Sequence, residues 1–207
     1  MTPVVSRGVI WYLTNTSIPG MAHLGCRPVR SAVITNSHRI PELPWVYEGL
    51  TRYLNWVLAA RSGIFTTEEA GDYVALLAAQ QANRPGREWR SLQDTAVSAG
   101  ILNEAADQWQ SERRGSDYYD ESLFIWLEVD TIIRRATKGE RSLDNFCRVF
   151  FVARKNSRTI APYTFKDVAS ALNGVVRYDW IAFFRKRLNS NPVRVASLVK
   201  PGATPFE

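Results

Sequence analysis

The residue best placed to do chemistry is a carboxylate among apolar neighbours. Glu48 lies in Trp45-Val46-Tyr47-Glu48-Gly49, the opening of a stretch that is otherwise largely hydrophobic. A carboxylate is expensive to bury unless it is paired or bound to a metal. The plain alternative is a glutamate near a helix N-terminus, where the helix dipole favours negative charge. The pentapeptide alone leaves both readings open. The other candidate ligands are His23 and His38, the two histidines of the chain, fifteen positions apart. That spacing cannot put both on one face of a single helical turn, the arrangement by which H-E-x-x-H presents two imidazoles to zinc with a glutamate between them as general base. His23 is followed by Leu24 rather than Glu, so that base is not placed either. Gathering His23, His38 and Glu48 around one ion from irregular segments carries a large ordering cost. Two exposed loop histidines are the plainer reading.

The element that must carry Glu48 is a helix. Leu43, Tyr47, Leu50, Leu54, Val57 and Leu58 recur at helical spacing up to Ala60. Pro41 and Pro44 suit a first turn and Gly63 a C-terminal cap. Thr66 with Glu68 and Glu69 starts a second helix that runs to about Asn83, where Arg84-Pro85-Gly86 stops it. Residues 84–116 are polar and mixed, a long loop with one short helix near Ser91–Val97. A helix over about Tyr118–Thr137 is apolar on most sides and should be central. Ser142, Thr164 and Asp179 start three more, ending near Ala153, Gly174 and Leu188. The architecture predicted is an all-α bundle.

Residues 1–40 differ in kind. They are rich in Thr, Ser, Pro and Gly, and only Val4-Val5, Gly8–Leu13 and Ala32–Ile34 read as short strands. The expected organisation is an irregular segment over 1–40, a helical unit over 41–190 and a tail over 191–207. The chain has 207 residues, 45% of them hydrophobic and 12% aromatic, which is enough for a buried core. The net charge is +6. Its densest clusters, Arg113-Arg114, Arg134-Arg135 and Arg185-Lys186-Arg187, read as solvated helix faces rather than a nucleic-acid surface. No apolar run reaches about 18 residues, so neither a membrane nor nucleic acid is an expected partner. Cys26 and Cys147 form no C-x-x-C pair, and Cys147 sits in an apolar run as a small core residue. The first residues make a poor signal peptide, and no compartment is assigned.

Beyond the pentapeptide, a longer pattern resembles the glycyl aminopeptidase family of zinc metallopeptidases, of the thermolysin-like (gluzincin) clan. The segments that carry it are Trp45 to Tyr53 and Val57 to Gly63, then Arg84-Pro85-Gly86-Arg87 with Ser91-Leu92-Gln93-Asp94. Asp117-Tyr118-Tyr119-Asp120-Glu121 and Ile125 to Asp130 follow, then Ser142 to Phe146, Tyr163 to Val168 and Tyr178-Asp179-Trp180. They run in order over about residues 42–190, whereas residues 1–40 do not read as family sequence and the boundary is abrupt near Pro41.

The resemblance implies an all-α C-terminal lobe of the catalytic domain. It implies Glu48 as the third zinc ligand and Tyr119 as the phenol that donates to the tetrahedral oxyanion; Tyr118 is the less favoured alternative. It implies a peptide substrate with a small N-terminal residue such as Gly. The family commonly has Gly where this chain has Ser122, a departure at a turn where backbones come close. The larger departure is the missing H-E-x-x-H. The expectation is therefore a fragment, truncated or frame-disrupted, without the family's usual PDZ domain, inactive alone and not holding zinc tightly. The alternative is a non-catalytic helical remnant that binds a peptide or protein, with Trp45, Trp56, Trp126 or their neighbours uncovered by the missing lobe and open to self-association.

Overall fold

The computed structural model describes residues 43–99, 110–152 and 163–190, and among these every regular element is a helix. Helix α1 is Pro44–Arg61 and α2 is Thr67–Ala82. Three short helices follow: α3 (Gly86–Trp89), α4 (Leu92–Val97) and α5 (Gln110–Arg113). Then come α6 (Asp120–Ala136), α7 (Leu143–Val152), α8 (Phe165–Val175) and α9 (Trp180–Asn189). The all-α expectation holds. The suggested strands, Cys26 and both histidines fall outside the described residues.

The helix starts follow the side chains that can cap them. Thr66 accepts from the Glu69 amide while the Glu69 carboxylate accepts from the Thr66 amide, and Thr164 and Asp167 repeat this box on α8. Ser91 and Asp179 cap α4 and α9 in the simpler way. Helices α3 and α5 were not expected. Each is a single turn within the polar stretch from 84 to 116, too short to show a hydrophobic period.

The central pair is α1 against α6. Trp45 and Trp126 stack between them with ring centroids 6.3 Å apart. Phe184 of α9 covers both, at 5.0 Å from Trp45 and 5.9 Å from Trp126, and Phe146 of α7 lies 5.4 Å from Trp126. This corrects the expectation of exposure for the three tryptophans Trp45, Trp56 and Trp126 themselves; among their neighbours, Tyr47 is 40% exposed. Trp45 and Trp126 are 0% exposed and Trp56 is 5% exposed. The physical reason is that α7, α8 and α9 bring their own aromatic rings over the α1–α6 seam, so the described helices bury that surface themselves. Cys147 is buried in the same core, as expected.

Polar ties fix how the helices meet. The buried Asp130 carboxylate of α6 accepts from the Tyr53 hydroxyl of α1 at 2.7 Å, from Arg134 Nε at 2.8 Å and from the Leu143 amide that opens α7 at 2.5 Å. One side chain thereby sets the mutual position of three helices.

Candidate active site

The site is built where α1 and α6 come closest. A Cβ placed on Gly49 would lie 2.2 Å from Ser122 Cβ and 3.0 Å from the Ser122 carbonyl carbon. Close approach therefore survives the departure at Ser122, and Gly49 is the residue that permits it. Ser122 is fully buried, and its hydroxyl has no hydrogen-bond partner among the described residues.

This contact sets what lies beside it. Glu48 precedes Gly49, and Tyr119 lies one turn before Ser122. The Tyr119 phenol is hydrogen-bonded with the Glu48 carboxylate and with the Tyr118 hydroxyl. Arg52, one turn after Glu48, donates from Nε to Asp120 Oδ1 at 2.9 Å and clips the same two helices together. Arg52 carries no motif of its own in the sequence; its spacing of four from Glu48 is the one signal that it faces the same side.

The two tyrosines have different surroundings. Tyr118 is 3% exposed, and its ring lies 4.8 Å from that of Tyr119. Tyr119 is only partly buried. Of the two phenols, Tyr119 is the one with an open side. Burial raises the Tyr119 phenol well above the usual tyrosine value, and the Glu48 charge and Tyr118 raise it further. It is therefore a neutral hydrogen-bond donor throughout the physiological range. Tyr47 stands at the rim of the site, 40% exposed, and it too is raised, first by burial and then by Glu48.

Glu48 and Asp120 are the carboxylates at this contact, and Asp120 is paired with Arg52. No group of three His, Cys, Asp or Glu side chains placed to hold an ion occurs among the described residues. His23 and His38 lie outside them. The described residues thus do not by themselves fit a zinc ion.

The family model of M61 glycyl aminopeptidase matches residues 27–125. The match takes in Glu48, Gly49, Arg52, Tyr119 and Ser122, while Trp126 and Asp130 of the same α1–α6 contact lie beyond it. It begins fourteen residues before Pro41. No curated protein matches the chain.

Proposed function

We propose that the chain, whose residues 27–125 match the M61 glycyl aminopeptidase family model, supplies the helical wall of a zinc aminopeptidase active site. In this reading Glu48 is the third ligand of the metal and Tyr119 the phenol that donates to the oxyanion. The supporting observation is the side-chain contact between Glu48 and Tyr119, which are 71 positions apart in sequence. Packing α1 on α6 would have stabilised the core equally well with apolar residues at both places. Instead it juxtaposes a carboxylate and a neutral phenol at a partly open edge.

The chemistry of these residues follows from their charge states. Tyr119 holds its proton, so it offers a donor wherever negative charge develops on a carbonyl oxygen. The Glu48 carboxylate is held in place from one side by that same phenol. The histidines and general base of H-E-x-x-H are not in the sequence, so the chain is expected to be catalytically silent alone and a weak zinc binder.

The test is a zinc titration followed by amide NMR, beside an assay of glycyl-p-nitroanilide hydrolysis. Zinc should perturb amides around Glu48 and Tyr119 first, without saturating at stoichiometric metal, and Glu48→Gln should abolish that pattern. Hydrolysis should not exceed that of Glu48→Gln. Perturbations centred on other carboxylates, such as Glu68 and Glu69, would overturn the ligand assignment. Zinc-dependent hydrolysis lost in Glu48→Gln would mean that His23 and His38 complete the site. The alternative reading, a binding remnant, rests on exposed apolar side chains such as Trp89 and Leu76, 62% and 56% exposed.

A further inference from the structure

Two of the segments that carry the family resemblance, 84–87 and 117–121, close on each other through a buried ion cluster. Arg87, Arg114, Asp117 and Glu121 are each no more than 3% exposed. All three guanidinium nitrogens of Arg114 are engaged. Nε donates to Asp117 Oδ2 at 3.1 Å, Nη1 to the Arg90 carbonyl and Nη2 to Glu121 Oε2. Arg84 donates to the second Asp117 oxygen. Arg87 Nη2 lies 3.4 Å from Glu121 Oε1, and Arg87 Nη1 donates to the Gln81 carbonyl at 2.7 Å.

The backbone of Arg114 is strained. Its φ is +53°, in the left-handed region that a β-carbon disfavours. Such a conformation persists where the surroundings over-determine it, and it concentrates at functional sites. Here the surroundings are the three hydrogen bonds of its own side chain. The buried ions themselves give little reason for the cluster in terms of stability, because a buried ion pair is often no better than apolar packing of the same volume. What the cluster does fix is a turn. Asp117 and Glu121 lie two residues on either side of Tyr119, and the Glu121 amide donates to the Asp117 carbonyl at 2.8 Å. The residue between these two anchors is the phenol that meets Glu48.

We propose that Arg114 is a positioning residue: through Asp117 and Glu121 it holds the 114–121 turn so that the Tyr119 phenol meets Glu48. This rests on the reading of Glu48 and Tyr119 as the functional pair. Arg114 itself touches neither the pair nor a substrate. Its effect is the pre-orientation of one donor, which an active site needs within a fraction of an ångström.

The test uses the full chain with fluorotyrosine incorporated, read by 19F NMR, with the Tyr119 signal assigned through Tyr119→Phe. Glu48→Gln should shift the Tyr119 signal in the wild-type background. Arg114→Lys keeps the charge but not the fork, and Glu121→Gln keeps the shape but not the charge. Each should move or broaden the Tyr119 signal while leaving that of Tyr53 in place, and each should reduce the response of Tyr119 to Glu48→Gln. Arg84→Ala removes a partly exposed partner of Asp117. It gives a mild perturbation that will fold if the buried changes do not, and it should move Tyr119 in the same direction by less. If Glu48→Gln leaves Tyr119 unmoved in the wild type, the pair itself is wrong. If Glu48→Gln shifts Tyr119 but folded cluster variants do not, or if they move Tyr53 equally, the positioning role is overturned.

Discussion

Gly49 shows how much one side chain can decide. Its missing Cβ lets α1 reach α6, and a methyl group there would overlap Ser122 Cβ at 2.2 Å. Most of that conflict is with a short side chain in a fully buried seam, where nothing can swing aside. Gly49→Ala should therefore destabilise the fold by about 3 kcal/mol, the upper range for overpacking, measured by urea denaturation. Adding Ser122→Gly removes the closest contact and leaves backbone contacts at 3.0 and 3.2 Å. The double variant should recover about half of the loss despite the helix propensity cost of a second glycine, about 0.5 kcal/mol. Additive losses in the double-mutant cycle would show that the helices do not meet as described. At this scale the sequence is legible in part. The family's glycine at position 122 signals a close approach, but which of the two helices supplies the missing Cβ is a matter of packing, and only the structure shows that Gly49 does. The Arg113-Arg114 pair reads in the sequence as a solvated face, and the structure corrects this for Arg114, which is 1% exposed. Its burial depends on Asp117 and Glu121 turning back towards it.

The helices themselves were read well where their ends carry chemistry. Thr66, Ser91, Thr164 and Asp179 all cap as their side chains predict, because capping is local. The tie between helices was not legible, because Tyr53, Asp130 and Leu143 are far apart in sequence and nothing local marks them. Asp130 joins α1, α6 and α7, so Asp130→Ala should cost about 3 kcal/mol by stranding Arg134 and the Leu143 amide. Tyr53→Phe removes one hydrogen bond and should cost about 1 kcal/mol. Thermal or urea unfolding would rank the two, and equal losses would contradict the three-way tie. A pH effect follows from the same residue. Burial, and then the neighbouring Asp130, raise the Tyr53 phenol well above its ordinary value. A raised folded value means that the unfolded chain gives up the proton first. The stability tied to neutral Tyr53 is fully present below about pH 10 and is lost as pH rises through 10 towards the folded value. Unfolding midpoints should fall between pH 9.5 and about 11 in the wild type, and fall less steeply in Tyr53→Phe.

For the molecule as a whole, the all-α class followed from hydrophobic periods that persist for several turns, while the burial of the tryptophans did not follow from them. Trp45 and Trp126 lie on α1 and α6, but Phe184, Phe146 and Phe165 come from later helices, and a periodicity shows which face is apolar without showing what covers it. The covering shows that the described helices bury their own aromatic seam beside Glu48 and Tyr119. A ligand stabilises a fold in proportion to how far its concentration exceeds its dissociation constant, by about 2.7 kcal/mol at a hundredfold excess. A closed zinc site with three protein ligands would reach that at micromolar metal and raise the melting temperature by several degrees. One carboxylate would not. Added zinc at ten- to a hundredfold over protein should therefore leave the unfolding midpoint of the wild type within about 1 °C of the metal-free value, and of the same shift in Glu48→Ala. A rise of several degrees in the wild type that is absent in Glu48→Ala would show that further ligands reach Glu48 from outside the described helices. A rise shared by both would place the metal elsewhere on the molecule and separate its binding from the α1–α6 site.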